Sequence, residues 1–246
     1  MSGHSKWATI KHAKGAADAK RGQMFTKLIK EISIAARMGG GSLDGNPRLR
    51  TAVLKARAAN MPKDNIDRAV KKGTGELEGV NYEELIYEAY APGGVAIFIE
   101  VLTDNKNRAA ADIRNILTRA GGQLATTGSV SRLFKRMGVI TLDGEKYTED
   151  AVMEVAIESG AEDVAASDGI VEVTSAPEDF ESVLNALQAK EFETISAEVN
   201  MIADAEITLD NEATAKALRL IDKLEENEDV QHVYSNIAIP EGYDAG

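Results

Sequence analysis

The sequence predicts an α+β fold in three parts: an N-terminal three-helix bundle followed by two ferredoxin-like α/β domains, the last inserted into the middle one. Three observations predict it. Residues 1–75 carry 16 Lys and Arg against 5 Asp and Glu, a net of +11, whereas residues 76–246 carry 12 against 35, a net of −23. Apolar residues recur at helical spacing through the basic part and in short runs broken by turn residues after it. The elements between residues 139 and 201 read β-α-β-β-α-β, the split pattern of ferredoxin-like units. The expected division is a basic helical domain over 1–75, a discontinuous α/β domain over 80–135 plus 205–246, and an inserted acidic domain over 136–204.

Residues 1–15 are basic, rich in small residues and without clear period, and read as an extended arm. The first helix is expected over Asp18 to Met38, because Phe25, Leu28, Ile29, Ile32, Ala35 and Ala36 form one stripe and Gly39-Gly40-Gly41 stops it. Asn46-Pro47 opens a second helix, a capping side chain followed by proline at the first helical position. Leu49, Ala52, Val53 and Ala56 make its stripe, with Arg48 and Lys55 on one flank and Arg50 and Arg57 on the other. A third helix begins near Pro62, buries Ile66, Ala69 and Val70, and is expected to end at Gly73 after Lys71 and Lys72.

Strands are expected at Tyr82–Tyr90 and Val95–Thr103, separated by the turn Pro92-Gly93-Gly94. A helix over Arg108–Ala120 follows, capped by Asp104 or Asn105, and then a strand over Ser129–Phe134. The inserted unit comprises a strand Val139–Leu142, a helix Thr148–Ser159, a hairpin Asp163–Ser175 turning at Ser167-Asp168-Gly169, a helix Pro177–Lys190 and a strand Thr194–Met201. Ser175 with Glu178 has the spacing of a capping box. A strand Ile207–Leu209, a helix Glu212–Glu226 and a strand Val230–Ile239 then complete the interrupted middle unit.

Composition narrows the function. At 43% hydrophobic and 28% charged, the chain reads as globular. No apolar run reaches the 18 or so residues a membrane span needs, and Lys6, Lys11 and Lys14 interrupt any apolar signal segment, so a cytoplasmic setting without membrane partner is expected. Cysteine is absent, which excludes disulfides and thiolate metal sites. His4, His12 and His232 lack metal-ligand spacing, no nucleophile elbow occurs, and the acidic residues read as a solvated surface. No catalytic residues, cofactor or small-molecule substrate are expected. The glycines after residue 72 follow a helix rather than a strand and lack the Gly-Lys-Ser/Thr ending of a phosphate loop.

What remains is a polyanion binder. Lys6, Lys11, Lys14, Lys20, Arg21, Lys27, Lys30, Arg48, Arg50, Lys55, Arg57, Lys63, Arg68, Lys71 and Lys72 offer cations to phosphates, and Trp7 and His12 stand among them. Trp7 can stack on an exposed base or cap the apolar face of the bundle. Lys71 and Lys72 read equally as ligand contacts or as complements to the helix dipole. A second basic cluster, Lys106, Arg108, Arg114, Arg119, Arg132, Lys135 and Arg136, extends that surface or pairs locally with Asp104 and Asp112. No helix-turn-helix with a recognition helix is legible, so base-specific readout does not follow from the sequence.

Several strings resemble one family. Gly3-His4-Ser5-Lys6-Trp7, Ile10-Lys11-His12, Asp18-Ala19-Lys20-Arg21-Gly22, Phe25-Thr26-Lys27-Leu28, Asn46-Pro47-Arg48-Leu49-Arg50 and Asn60-Met61-Pro62-Lys63-Asp64-Asn65-Ile66 are similar to the N-terminal part of the YebC family of regulatory proteins. Glu88-Ala89-Tyr90-Ala91-Pro92-Gly93-Gly94 and Asp104-Asn105-Lys106-Asn107-Arg108 resemble its second block. The resemblance implies three domains, no catalytic site and a role in gene expression. That role is either DNA-binding transcriptional regulation or, as in the mitochondrial translational activator of cytochrome oxidase, an action on translation through ribosomal RNA and the ribosome.

Overall fold

The computed structural model describes residues 18–167, 169–240 and 243, with side chains from residue 21 onward. The expected arm, with Lys6, Trp7, Lys11, His12 and Lys14, lies outside the described residues, as does the Lys20 side chain.

Three helices come first: α1 (Asp18–Gly39), α2 (Pro47–Ala58) and α3 (Lys63–Thr74). Their apolar stripes share one core, with Ile32, Ala35 and Ala36 of α1 meeting Leu49, Ala52, Val53 and Ala56 of α2 and Ile66 and Ala69 of α3. Ile32 and Leu49 are fully buried, each contributing about 1.5–3 kcal/mol relative to an exposed side chain. Asn46 joins two helices. Its Oδ1 accepts the Leu49 N–H at 3.0 Å, capping α2, while its Nδ2 donates to the Ala35 and Gly40 carbonyls at 2.8 Å, satisfying the end of α1. Gly73 does not end α3, which continues to a left-handed Gly75. A Cβ on Gly73 would stand 2.3 Å from the Ser33 carbonyl, so glycine is there to let α1 and α3 approach.

The first sheet comprises β1 (Glu83–Tyr90), β2 (Ala96–Thr103), β3 (Gln123–Leu124) and β9 (Val230–Ser235), in the order β3-β1-β2-β9. Helices α4 (Lys106–Arg119) and α7 (Asn211–Glu225) cover one face, placing Ile113, Leu117, Leu220 and Leu224 against Ile97, Ile99 and Val233. The strand expected over Ser129–Phe134 is instead a 3-10 turn at Ser131–Leu133 that leads directly into β4. The partner strand comes from Gln123–Leu124.

The second sheet comprises β4 (Phe134–Asp143), β5 (Ala161–Ser167), β6 (Ile170–Ser175) and β7 (Thr194–Ala203), in the order β5-β6-β4-β7 with every neighbour antiparallel. Helices α5 (Glu149–Glu158) and α6 (Phe180–Ala189) cover it through Val152, Ala156, Val183 and Leu187. This is the ferredoxin-like order. The first sheet repeats that spatial order, with β1 in the place β6 takes here. Strand β4 is far longer than expected. Its register with β7 runs from Phe134↔Ala203 onward, and Phe134 packs with Phe98 and Tyr234 of the first sheet. The capping box at Ser175 does not form, because Ser175 belongs to β6 and is buried. The α6 N-cap is Asp179, without a side-chain hydrogen bond. Two short strands, β8 (Ile207–Thr208) and β10 (Ile237–Ala238), pair parallel beside the first sheet.

Candidate nucleic-acid interface

The basic residues of the bundle fall into two groups. The first group is occupied. Lys30 is only 7% exposed. Its Nζ donates to Asp229 Oδ1 at 2.6 Å and to the Glu228 carbonyl at 2.9 Å, and lies 5.7 Å from the centre of the Tyr82 ring. Arg108 reaches the same carboxylate from α4, with Nη2 2.9 Å from Oδ2. Burial pushes the Asp229 carboxyl up, but the hydrogen bonds from Lys30 and Arg108 outweigh it and hold it below the usual carboxylate range. Arg108 also pairs with Asp104 at 2.7 Å, so the local-pairing reading of that residue is the one the geometry supports.

Around this centre lie further ties. Lys27 Nζ donates to the Glu225 carbonyl at 2.6 Å, and Arg37 donates to the Tyr82 carbonyl at 2.8 Å. Arg48 forks onto Glu31 at 2.6 and 3.0 Å and reaches Glu84 at 2.6 Å. Lys55 meets Glu198 of β7 at 2.6 Å. Arg50 donates to the Leu43 carbonyl at 3.0 Å and stands 3.6 Å from Glu181 of α6. Much of the basic surface legible in the sequence therefore holds the bundle against the acidic body. Arg21 is exposed but also has a partner.

The second group is unoccupied. Arg57 at the end of α2, and Lys63, Arg68, Lys71 and Lys72 on α3, are exposed and carry no ion pair or side-chain hydrogen bond among the described residues. At roughly 100° per residue, Ile66, Ala69 and Gly73 point to the core, while Arg68, Lys71 and Lys72 spread over the opposite side of α3. Asp64 and Asp67 are interleaved with them, leaving the helix with four cations against two carboxylates. Such a face attracts phosphates irrespective of base sequence. Sequence spacing found the two flanks of α2. It gave no signal for Asp229, Glu198 or Glu31 as the groups that neutralise the occupied set.

Among the described residues no cluster of three or more His, Asp or Glu could hold a metal ion, and no helix is long and apolar enough to cross a membrane.

The whole chain has relatives of the same build. Residues 5–76 match the model of the TACO1/YebC protein N-terminal domain, and residues 82–237 match that of the TACO1/YebC second and third domain. The chain belongs to the TACO1/YebC family. Family members share nearly its full length. A probable transcriptional regulatory protein of Treponema denticola is 68% identical over 244 residues, covering 99% of each chain. One of Desulforapulum autotrophicum is 55% identical over 246 residues, covering all of both. The crystal structure of a conserved hypothetical protein from Aquifex aeolicus superposes with a TM-score of 0.82 at 44% identity, over 91% of this chain and 93% of that one.

Proposed function

We propose that this protein is a non-catalytic, cytoplasmic regulator of gene expression that holds nucleic acid by its phosphates, with duplex DNA as the target. The observation that carries the reading is the unpaired cationic face of α3 and Arg57, left free where the other described cations of the bundle have partners. The names of the relatives, probable transcriptional regulatory proteins, support the regulatory role. On this reading the arm residues Lys6, Trp7, Lys11, His12 and Lys14, with Lys20, extend the contact, and the three-domain division of the sequence is kept. The occupied cations orient the bundle rather than touch phosphate.

Backbone contact without base readout also suits ribosomal RNA. The deciding experiment sets binding of a fluorescent duplex against cosedimentation with ribosomes, at matched ionic strengths. The reading expects duplex binding that weakens steeply with salt and differs little between unrelated sequences. Ribosome association without duplex binding would move the target to RNA, and absence of both at low salt would sink the nucleic-acid reading.

A further inference from the structure

A cleft of 1160 Å³ lies between the bundle and the α/β body. Its walls come from α1, α2, the start of α6, β7 and the end of α7. Apolar surface is supplied by Met24, Leu28, Ala58, Phe180 and Val199, and Met24 remains 41% exposed there. Seven carboxylates line it against three Lys and Arg. Lys27 donates to the Glu225 carbonyl, Arg48 pairs with Glu31 and Glu84, and Lys55 pairs with Glu198. Arg50 and Lys223 reach Glu181 and Glu226 from outside the lining, so the carboxylates still outnumber the cations near them. The cleft is thus a concave, partly apolar and net-negative surface, a setting that concentrates field on a cationic occupant.

One segment of this chain has the complementary chemistry. Residues 1–17 contain Lys6, Lys11 and Lys14, no Asp or Glu, and the apolar pair Trp7 and Ile10. They enter α1 at Asp18, and Gln23 and Met24 on the cleft wall follow five and six residues later, about 8–9 Å along the helix. Seventeen residues span up to about 60 Å when extended, so reach does not limit docking. Tethering gives an effective concentration in the millimolar range, at which even a weak site fills.

We infer that the N-terminal segment 1–17 docks in this acidic interdomain cleft, with its lysines among the carboxylates and Trp7 against the apolar wall. The cleft then competes with phosphates for the same lysines, so the arm is available to a polyanion only when released. The docking itself does not depend on the nucleic-acid reading.

Trp7 is the sole tryptophan, so the indole emission of the full chain reports the arm alone. The test is acrylamide quenching without nucleic acid, comparing the native chain with the triple variant Glu178→Gln, Glu181→Gln, Glu226→Gln. The docked arm predicts quenching at least twofold weaker than that of a free indole amide, rising at least twofold in the variant. Native quenching equal to the free indole, or shielding unchanged in the variant, overturns docking; the second result places Trp7 elsewhere on the bundle. Should the variant lose its thermal transition, the cysteine-free chain offers Ala8→Cys with Ala58→Cys. Rapid intramolecular disulfide formation is expected, and its absence with both thiols reactive overturns the inference.

Discussion

At Asp229 a carboxylate that is 3% exposed meets Lys30 from the bundle and Arg108 from α4. Removing the carboxylate leaves the buried Lys30 ammonium with carbonyl acceptors only, while the half-exposed Arg108 keeps Asp104, at a cost of up to about 3–5 kcal/mol. Asp229→Asn should therefore lower the unfolding free energy by that order in urea titration, whereas a surface change such as Asp150→Asn should move it by less than about 0.5 kcal/mol. The same site sets a pH dependence. The Asp229 carboxyl lies below its ordinary value of 3.8, so its stabilising contribution is complete well above that value and is lost as pH falls through the folded value. Glu88 behaves alike: burial raises it, but backbone N–H groups of Gly128, Ser131 and Val130 together hold it lower than its ordinary 4.5. As pH falls below about 5 these two contributions should be lost and stability should decline. The decline should be shallower in Asp229→Asn, Glu88→Gln, and an equally steep decline would show that other carboxylates govern it. None of this was legible in the sequence, because Lys30 and Asp229 lie 199 residues apart and nothing local links them.

Elements were easier to read than contacts, for a physical reason. The stripes of α1 and α2 and the Asn46-Pro47 start are local features, and the helices begin where those features place them. Asn46→Ala removes the α2 cap and both donors to α1, so it should cost at least the roughly 1–2 kcal/mol of a lost cap; an unchanged denaturation midpoint would contradict the dual role. Strand β4 was misread as two pieces because Lys135 and Arg136 break its apolar run. Both face solvent on the long β4/β7 ribbon, paired with Asp204 and Glu100, so polarity there marks exposure rather than a strand end. The Ser175–Glu178 spacing failed because Ser175 was already committed to the β6 ladder with Gly138. On α2 the two flanks were separable by angle, but which flank is neutralised depends on Glu31, Glu84 and Glu198, all distant in sequence.

Over the whole molecule, the contrast of +11 against −23 describes two jobs at once. Part of the basic charge fastens the bundle to the acidic body, and part, on α3 and at Arg57, has no partner among the described residues and is the proposed phosphate contact. The two jobs predict opposite phenotypes. Exposed or half-exposed ties such as Lys55–Glu198 contribute about 1 kcal/mol or less each, so Lys55→Ala should change stability and the domain arrangement slightly, with little effect on nucleic-acid affinity. Changing Lys63, Arg68, Lys71 and Lys72 together to Ala should leave the thermal transition within a few degrees and remove phosphate contacts. The most direct test measures duplex affinity against salt for the native chain and this fourfold variant, on two unrelated sequences. Each lost phosphate contact flattens the log–log slope by about 0.9, so the variant should bind both duplexes at least about tenfold more weakly, with a slope shallower by roughly 2–4. Native affinity and slope in a folded fourfold variant would contradict the account.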